Sequence, residues 1–105
     1  MRTQRGDPAE HIDIGQTAVQ LGELFRQWRV VLGLSQELAA EQANISIPTL
    51  RRIERGETGV HLGSFLALAN ILGLTERLLE ASNPLETDLG RARVHMLWRR
   101  RAKRR

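Results

Sequence analysis

The sequence predicts an all-α fold, a five-helix bundle with a flexible N-terminal segment and a basic C-terminal tail. Apolar residues recur at three- and four-residue spacing through residues 17–82, the repeat of helices buried along one face. No segment alternates apolar with polar residues as a half-buried strand does. Ser, Asn and Gly stand at the ends of the apolar runs, where helices need caps. A length of 105 residues accommodates one compact domain with tails. The expected division is a flexible segment 1–15, a domain 16–82 and a tail 83–105.

Residues 1–15 hold Gly6, Pro8 and Gly15, scattered charge and few apolar side chains. The first helix is expected to begin at Thr17, with Leu21, Leu24, Phe25, Trp28 and Leu32 as its apolar stripe. Gly33 ends it as a C-terminal cap. Ser35 caps a second helix over 36–43. Asn44 follows as a left-handed turn residue, because Asn tolerates positive φ better than most side chains. Ser46 caps a third helix over 47–55, Pro48 sits in its first turn where a missing N–H costs little, and Gly56 stops it. A loop from Glu57 leads into a fourth helix with Leu62, Phe65, Leu66, Ala69 and Leu72 on one face, ended by Gly73. Thr75 caps a fifth helix from Glu76 to Ala81. Asn83-Pro84 breaks the pattern. Beyond it Leu85, Leu89, Met96, Leu97 and Trp98 are loosely spaced among arginines, a segment expected to be disordered or helical only when bound.

Charge is divided unevenly. Residues 91–105 hold eight basic residues and no acid, while the other ninety hold the remaining eight against all 12 acids, a net of −4. The basic balance therefore belongs to the tail and implies a polyanionic partner, nucleic acid first, an acidic protein surface second. There is no cysteine, so disulfides and thiolate metal sites are excluded and a reducing cytoplasm fits. No apolar run approaches the roughly 18 residues that span a bilayer, and the first 15 residues lack the apolar region of a secretory signal. No membrane association is expected.

The third helix carries the chemistry. At about 100° per residue, positions 47, 48, 51, 52 and 55 share one stripe, while Leu50 and Ile53 share the opposite one. A helix so divided can pack on a core with one side and enter the DNA major groove with the other. There an arginine fork can grip guanine O6 and N7, and Ile47 can touch a thymine methyl.

These residues carry a resemblance. Leu34-Ser35-Gln36, Ala40, the turn at Asn44, Ser46, Thr49 and Ile53-Glu54-Arg55-Gly56 are similar, in identity and spacing, to the helix-turn-helix of the phage repressor/Cro or xenobiotic-response-element family. The likeness implies a lambda-repressor-like bundle that binds double-stranded operator DNA, commonly as a homodimer, and acts as a nucleoid-associated transcriptional repressor. It assigns base reading to Ser46, Ile47, Pro48 and Arg52, with Thr49 and Arg51 alongside. It gives Gln36 a phosphate contact and support of the reading helix, and gives the loop from Glu57 to His61 a place near the DNA backbone. Arg55, at the helix end, is a further DNA-facing candidate that also complements the helix dipole. The likeness further implies a partly buried pair between Arg29 and Glu54.

The chain departs from the pattern at Leu38-Ala39, where the family has Glu-Leu. Leu38 cannot complete a capping box with Ser35 and is expected to be exposed. Ala39 leaves core volume that the large Trp28 can fill. His61 stands where Ser or Thr would cap the fourth helix. The last 23 residues, from Asn83, resemble the tails of HipB-type antitoxins encoded beside HipA-type kinase toxins, which implies a kinase as a second partner.

Other chemistries lack their residues. His11, His61 and His95 are scattered with no metal-ligand spacing, the serines lack a nucleophile-elbow context, and no phosphate loop is present. Neither an enzyme nor a cofactor or metal is expected.

Overall fold

The computed structural model describes residues 13–103, with side chains to Arg99. It is helical, with no strand among the described residues, as the periodicity predicts. The chain forms two compact units, one ending at Gly73 and the other beginning at Leu74.

The first unit holds α1 (Ile14–Val31), α2 (Gln36–Ala43), α3 (Ile47–Arg55) and α4 (Leu62–Ile71). α1 begins three residues before the expected Thr17. The reason is Asp13, whose Oδ1 accepts from the N–H groups of Gly15 and Gln16 at 2.9 and 3.4 Å and so satisfies the first orphan donors. Ile14 and Gly15 are thus helical, and residues 1–12 lie outside the described residues. Gly33 closes α1 at φ 74° as expected. On the outer face of α1, hydrogen bonds from Arg26 and then Gln27 hold the Glu23 carboxyl at about 2. That local support is present above the ordinary carboxylate range and is lost only as pH falls through this depressed value.

The buried face of α1 is not the expected stripe. Gly22 and Phe25 are buried, whereas Leu21, Leu24 and Leu32 are 38%, 50% and 47% exposed. Gly22 is the cause. A Cβ there would lie 2.5 Å from the Ile53 carbonyl oxygen and 2.6 Å from that of Glu54. Its absence lets the α1 backbone rest directly on the end of α3 and turns the 22/25/29 face inward. Gly56 makes the reciprocal approach: it has φ 81°, and a Cβ on it would strike the Val19 backbone. Leu21 and Leu62 instead line an open cleft of about 280 Å³ with Ile14, Ala18, Ile53 and Phe65. Gly22→Ala is expected to cost about 1–3 kcal/mol, since neither backbone can yield cheaply. A thermal melt followed by circular dichroism checks it, and an unchanged midpoint would contradict the close approach.

Phe25 stacks on Phe65 with centroids 4.9 Å apart, joining α1 to α4. α2 presents Ala39, Ala40 and Ala43 to the interior and lies against α3 and α4. Leu50 and Leu68 are fully enclosed, each worth about 1.5–3 kcal/mol of burial. In α4 the inner face is Leu68 and Ala69, continued by the buried Leu72 at its C-cap, while the expected core residues Leu62 and Leu66 are 69% and 46% exposed. Ala39 is completely enclosed, but Trp28 is only half-buried and lines a surface depression with Leu24, Gln27 and Val31. Leu38 is exposed, as expected.

The second unit holds α5 (Thr75–Ser82), a 3-10 turn (Pro84–Glu86), α6 (Asp88–Ala92) and α7 (His95–Lys103). Thr75 is the first residue of α5 rather than its cap; the cap position is Leu74, which makes no side-chain capping bond. The segment after Pro84 is helical, where its loose apolar spacing gave no such expectation. Local hydrogen bonds explain this. Asn83 Oδ1 accepts from Leu85 N–H, Thr87 Oγ1 accepts from Gly90 N–H, and Arg91 donates to the Leu85 carbonyl and to Asp88. None of the described residues from 74 to 99 is buried.

Candidate nucleic-acid interface

The segment from Ser35 to Gly56 is built by local chemistry. Ser35 Oγ accepts from Leu38 N–H at 3.0 Å and starts α2. Asn44 is left-handed, at φ 57° and ψ 45°. Ile45 N–H then donates to the Ala40 carbonyl at 3.0 Å, closing the turn by a Schellman bond. Ser46 Oγ accepts from Thr49 N–H at 3.1 Å and starts α3, with Pro48 in the first turn. Gly56 ends α3 in the left-handed region. Each of these caps and bounds is the one expected from the residues.

α3 divides as expected. Leu50 and Ile53 are buried at 0% and 3% exposure, while Arg51, Arg52 and Arg55 are exposed. Pro48 and Ser46 are exposed, and Ile47 and Thr49 are half-buried. The Ser46 hydroxyl is already committed, since it donates to Thr49 Oγ1 at 2.9 Å while capping the helix. Arg52 Nη1 reaches Thr49 Oγ1 only at 3.4 Å. Arg55 is turned to the loop, where Nη2 lies 2.7 Å from Glu57 Oε2. Its charge there offsets the acid nearest the helix end. His61 is exposed at the start of α4 and forms no side-chain cap, the weak cap expected from its identity.

Behind this face lies the predicted ion pair. Arg29 Nε is 2.6 Å from Glu54 Oε2, and Arg29 Nη2 donates to Oε1 at 3.2 Å. The side chains are 12% and 6% exposed. Arg29 Nη1 also donates to the Leu34 carbonyl at 2.9 Å, so the pair ties α1 to α3 and to the entry of α2. Gln36 joins it. Its Nε2 donates to Glu54 Oε1 at 3.2 Å, and its Oε1 accepts from Arg51 Nε at 3.0 Å. The contact between Gln36 and Arg51 carries no sequence signal, because it spans 15 positions and a turn.

A helix-turn-helix domain family model matches residues 20–81, more than half of the chain. The protein belongs to that family, the class of DNA-binding regulators built on this pair of helices. No curated protein matches the chain significantly. No single described helix is long and apolar enough to cross a membrane.

Proposed function

We propose that the protein is a sequence-specific transcriptional repressor of the phage repressor/Cro type. It reads an operator in the major groove with residues 46–55 and acts as a homodimer on the nucleoid in the cytoplasm. The observation that carries this reading is the split of α3, with enclosed Leu50 and Ile53 on one side and exposed Arg51 and Arg52 on the other. Base choice comes from Arg51, Arg52, Ile47, Pro48 and Thr49. Backbone contacts come from the loop near His61, the start of α2 at Gln36, and Arg55. The tail, with eight basic residues after Gly90, adds a salt-dependent phosphate term. Repression follows from occlusion of a promoter.

Selection of bound duplexes from a random DNA pool tests this. The expected result is one enriched sequence, arranged as an inverted repeat if two copies bind. Enrichment of no sequence would overturn the reading. A second expectation concerns the acid beside α3. Glu57→Gln removes a negative charge facing phosphate and releases Arg55 from its 2.7 Å pair. Affinity is expected to rise about two- to tenfold on specific and random DNA alike, with a steeper salt slope. Fluorescence anisotropy across salt concentrations checks it.

A second reading adds a protein partner. Leu79, Leu89 and Trp98 of the second unit are 66%, 63% and 62% exposed, beside a run of arginines. These exposed side chains on three successive helices, together with the resemblance of the tail to HipB-type antitoxins, support an antitoxin that holds a HipA-like kinase and regulates its own operon. An antitoxin should co-purify with a kinase of several hundred residues when the two are expressed together.

A further inference from the structure

The geometry points to Arg51, held in place by Gln36, as the residue that sets guanine choice. This rests on α3 being the base-reading helix. A line of hydrogen bonds runs from the interior to the exposed face. It starts at Arg29 and passes to Glu54 at 2.6 Å, to Gln36 at 3.2 Å and to Arg51 at 3.0 Å. The inner two members are anchored by burial and by the Leu34 carbonyl.

The Gln36 amide can make these bonds in one orientation only. Glu54 is an acceptor, so it must meet the NH2 group; Arg51 is a donor, so it must meet the oxygen. Gln36 thus couples a buried acid to an exposed base, and its rotamer is set by both.

The consequence falls on Arg51. Among the described residues, Gln36 is its partner, and it uses Nε alone. The two terminal nitrogens remain as a fork that matches guanine O6 and N7. An arginine held at Nε has less rotamer freedom to lose when it binds. The other arginines of α3 lack this arrangement. Arg52 has only a 3.4 Å contact with Thr49, and Arg55 is paired with Glu57. Gln36 is therefore a positioning residue for base readout, a role distinct from a phosphate contact.

The test measures Kd by anisotropy for the duplex enriched from the random pool and for variants in which each G·C pair is replaced by A·T. Arg51→Ala should lose about 10–100-fold of discrimination at one guanine position per bound copy. Gln36→Met should lose about threefold or more of the guanine preference at that same position, over and above any uniform loss from its backbone contact, and should take no further preference away in the Arg51→Ala background. Arg51→Lys keeps the charge and touches no core group. It should lose part of that guanine discrimination, because an ammonium keeps donors for O6 and N7 but has no Nε for Gln36 to hold, and it stands in if Gln36→Met melts below the assay temperature. Equal weakening on every duplex by Gln36→Met, additivity with Arg51→Ala, or full discrimination by Arg51→Lys would overturn the proposal. If the wild-type protein enriches no sequence, the base-reading role of α3 falls first. If it enriches one and Arg51→Ala leaves every guanine preference intact, the assignment of Arg51 alone falls.

Discussion

Exchanging Glu54 for glutamine is expected to destabilise the protein by about 3 kcal/mol, near the lower end of what breaking a buried ion pair costs. The two side chains are 12% and 6% exposed, so Arg29 would be left with its charge out of water and only neutral acceptors, the Leu34 carbonyl and one amide oxygen. For a domain of this size that corresponds to a fall of about 10 °C or more in the melting midpoint. The same substitution leaves one acceptor oxygen where two serve Arg29 and Gln36, so the hold on Gln36 weakens and DNA discrimination should fall with stability. A double variant separates the two effects. Arg29→Met with Glu54→Leu replaces the pair with apolar groups of similar size and is expected to recover much of the stability. It cannot restore the anchor for Gln36, so discrimination should stay low. A midpoint unchanged by Glu54→Gln would show that the pair holds nothing together.

Removing both arginines at the outer face of α3 is expected to have the largest effect on binding. Arg51→Ala with Arg52→Ala should weaken binding to the enriched duplex by about 100-fold or more, since each good bidentate contact contributes about 1–3 kcal/mol of discrimination. Binding to random DNA should weaken far less, because phosphate contacts from the helix ends and tail remain. Both side chains are exposed and outside the core, so stability should stay within about 0.5 kcal/mol of wild type. Equal losses on specific and random DNA would mean that the two arginines act as charges and not as readers.

What the amino-acid sequence discloses follows from how local each device is. The bounds of α2 and α3 are legible because Ser35, Asn44, Ser46, Pro48 and Gly56 act on residues three to five positions away. The amphipathic split of α3 is legible because its two stripes differ in kind, arginine against leucine and isoleucine. α1 and α4 are different. α4 is apolar nearly all round, so spacing cannot tell Leu66 from Leu68 as the inward residue. In α1 the inward face is chosen by the contact of Gly22 with the carbonyls of Ile53 and Glu54, which no window of local sequence contains. The pairing of Arg29 with Glu54 was visible only through the resemblance, 25 positions apart. The link from Gln36 to Arg51 was not visible at all. The helices after Pro84 have no apolar period to mark them, because short hydrogen bonds at Asn83, Thr87 and Arg91 hold them.

The central claim is that the outer face of α3 lies in the major groove against guanine. Replacing the guanines of the enriched duplex by 7-deazaguanine tests it, because that change deletes only the N7 acceptor on the major-groove edge. Affinity should drop about tenfold or more at the positions read by arginine, while inosine, which lacks the minor-groove amino group, should be tolerated there. Unchanged affinity with 7-deazaguanine and loss with inosine would contradict the account.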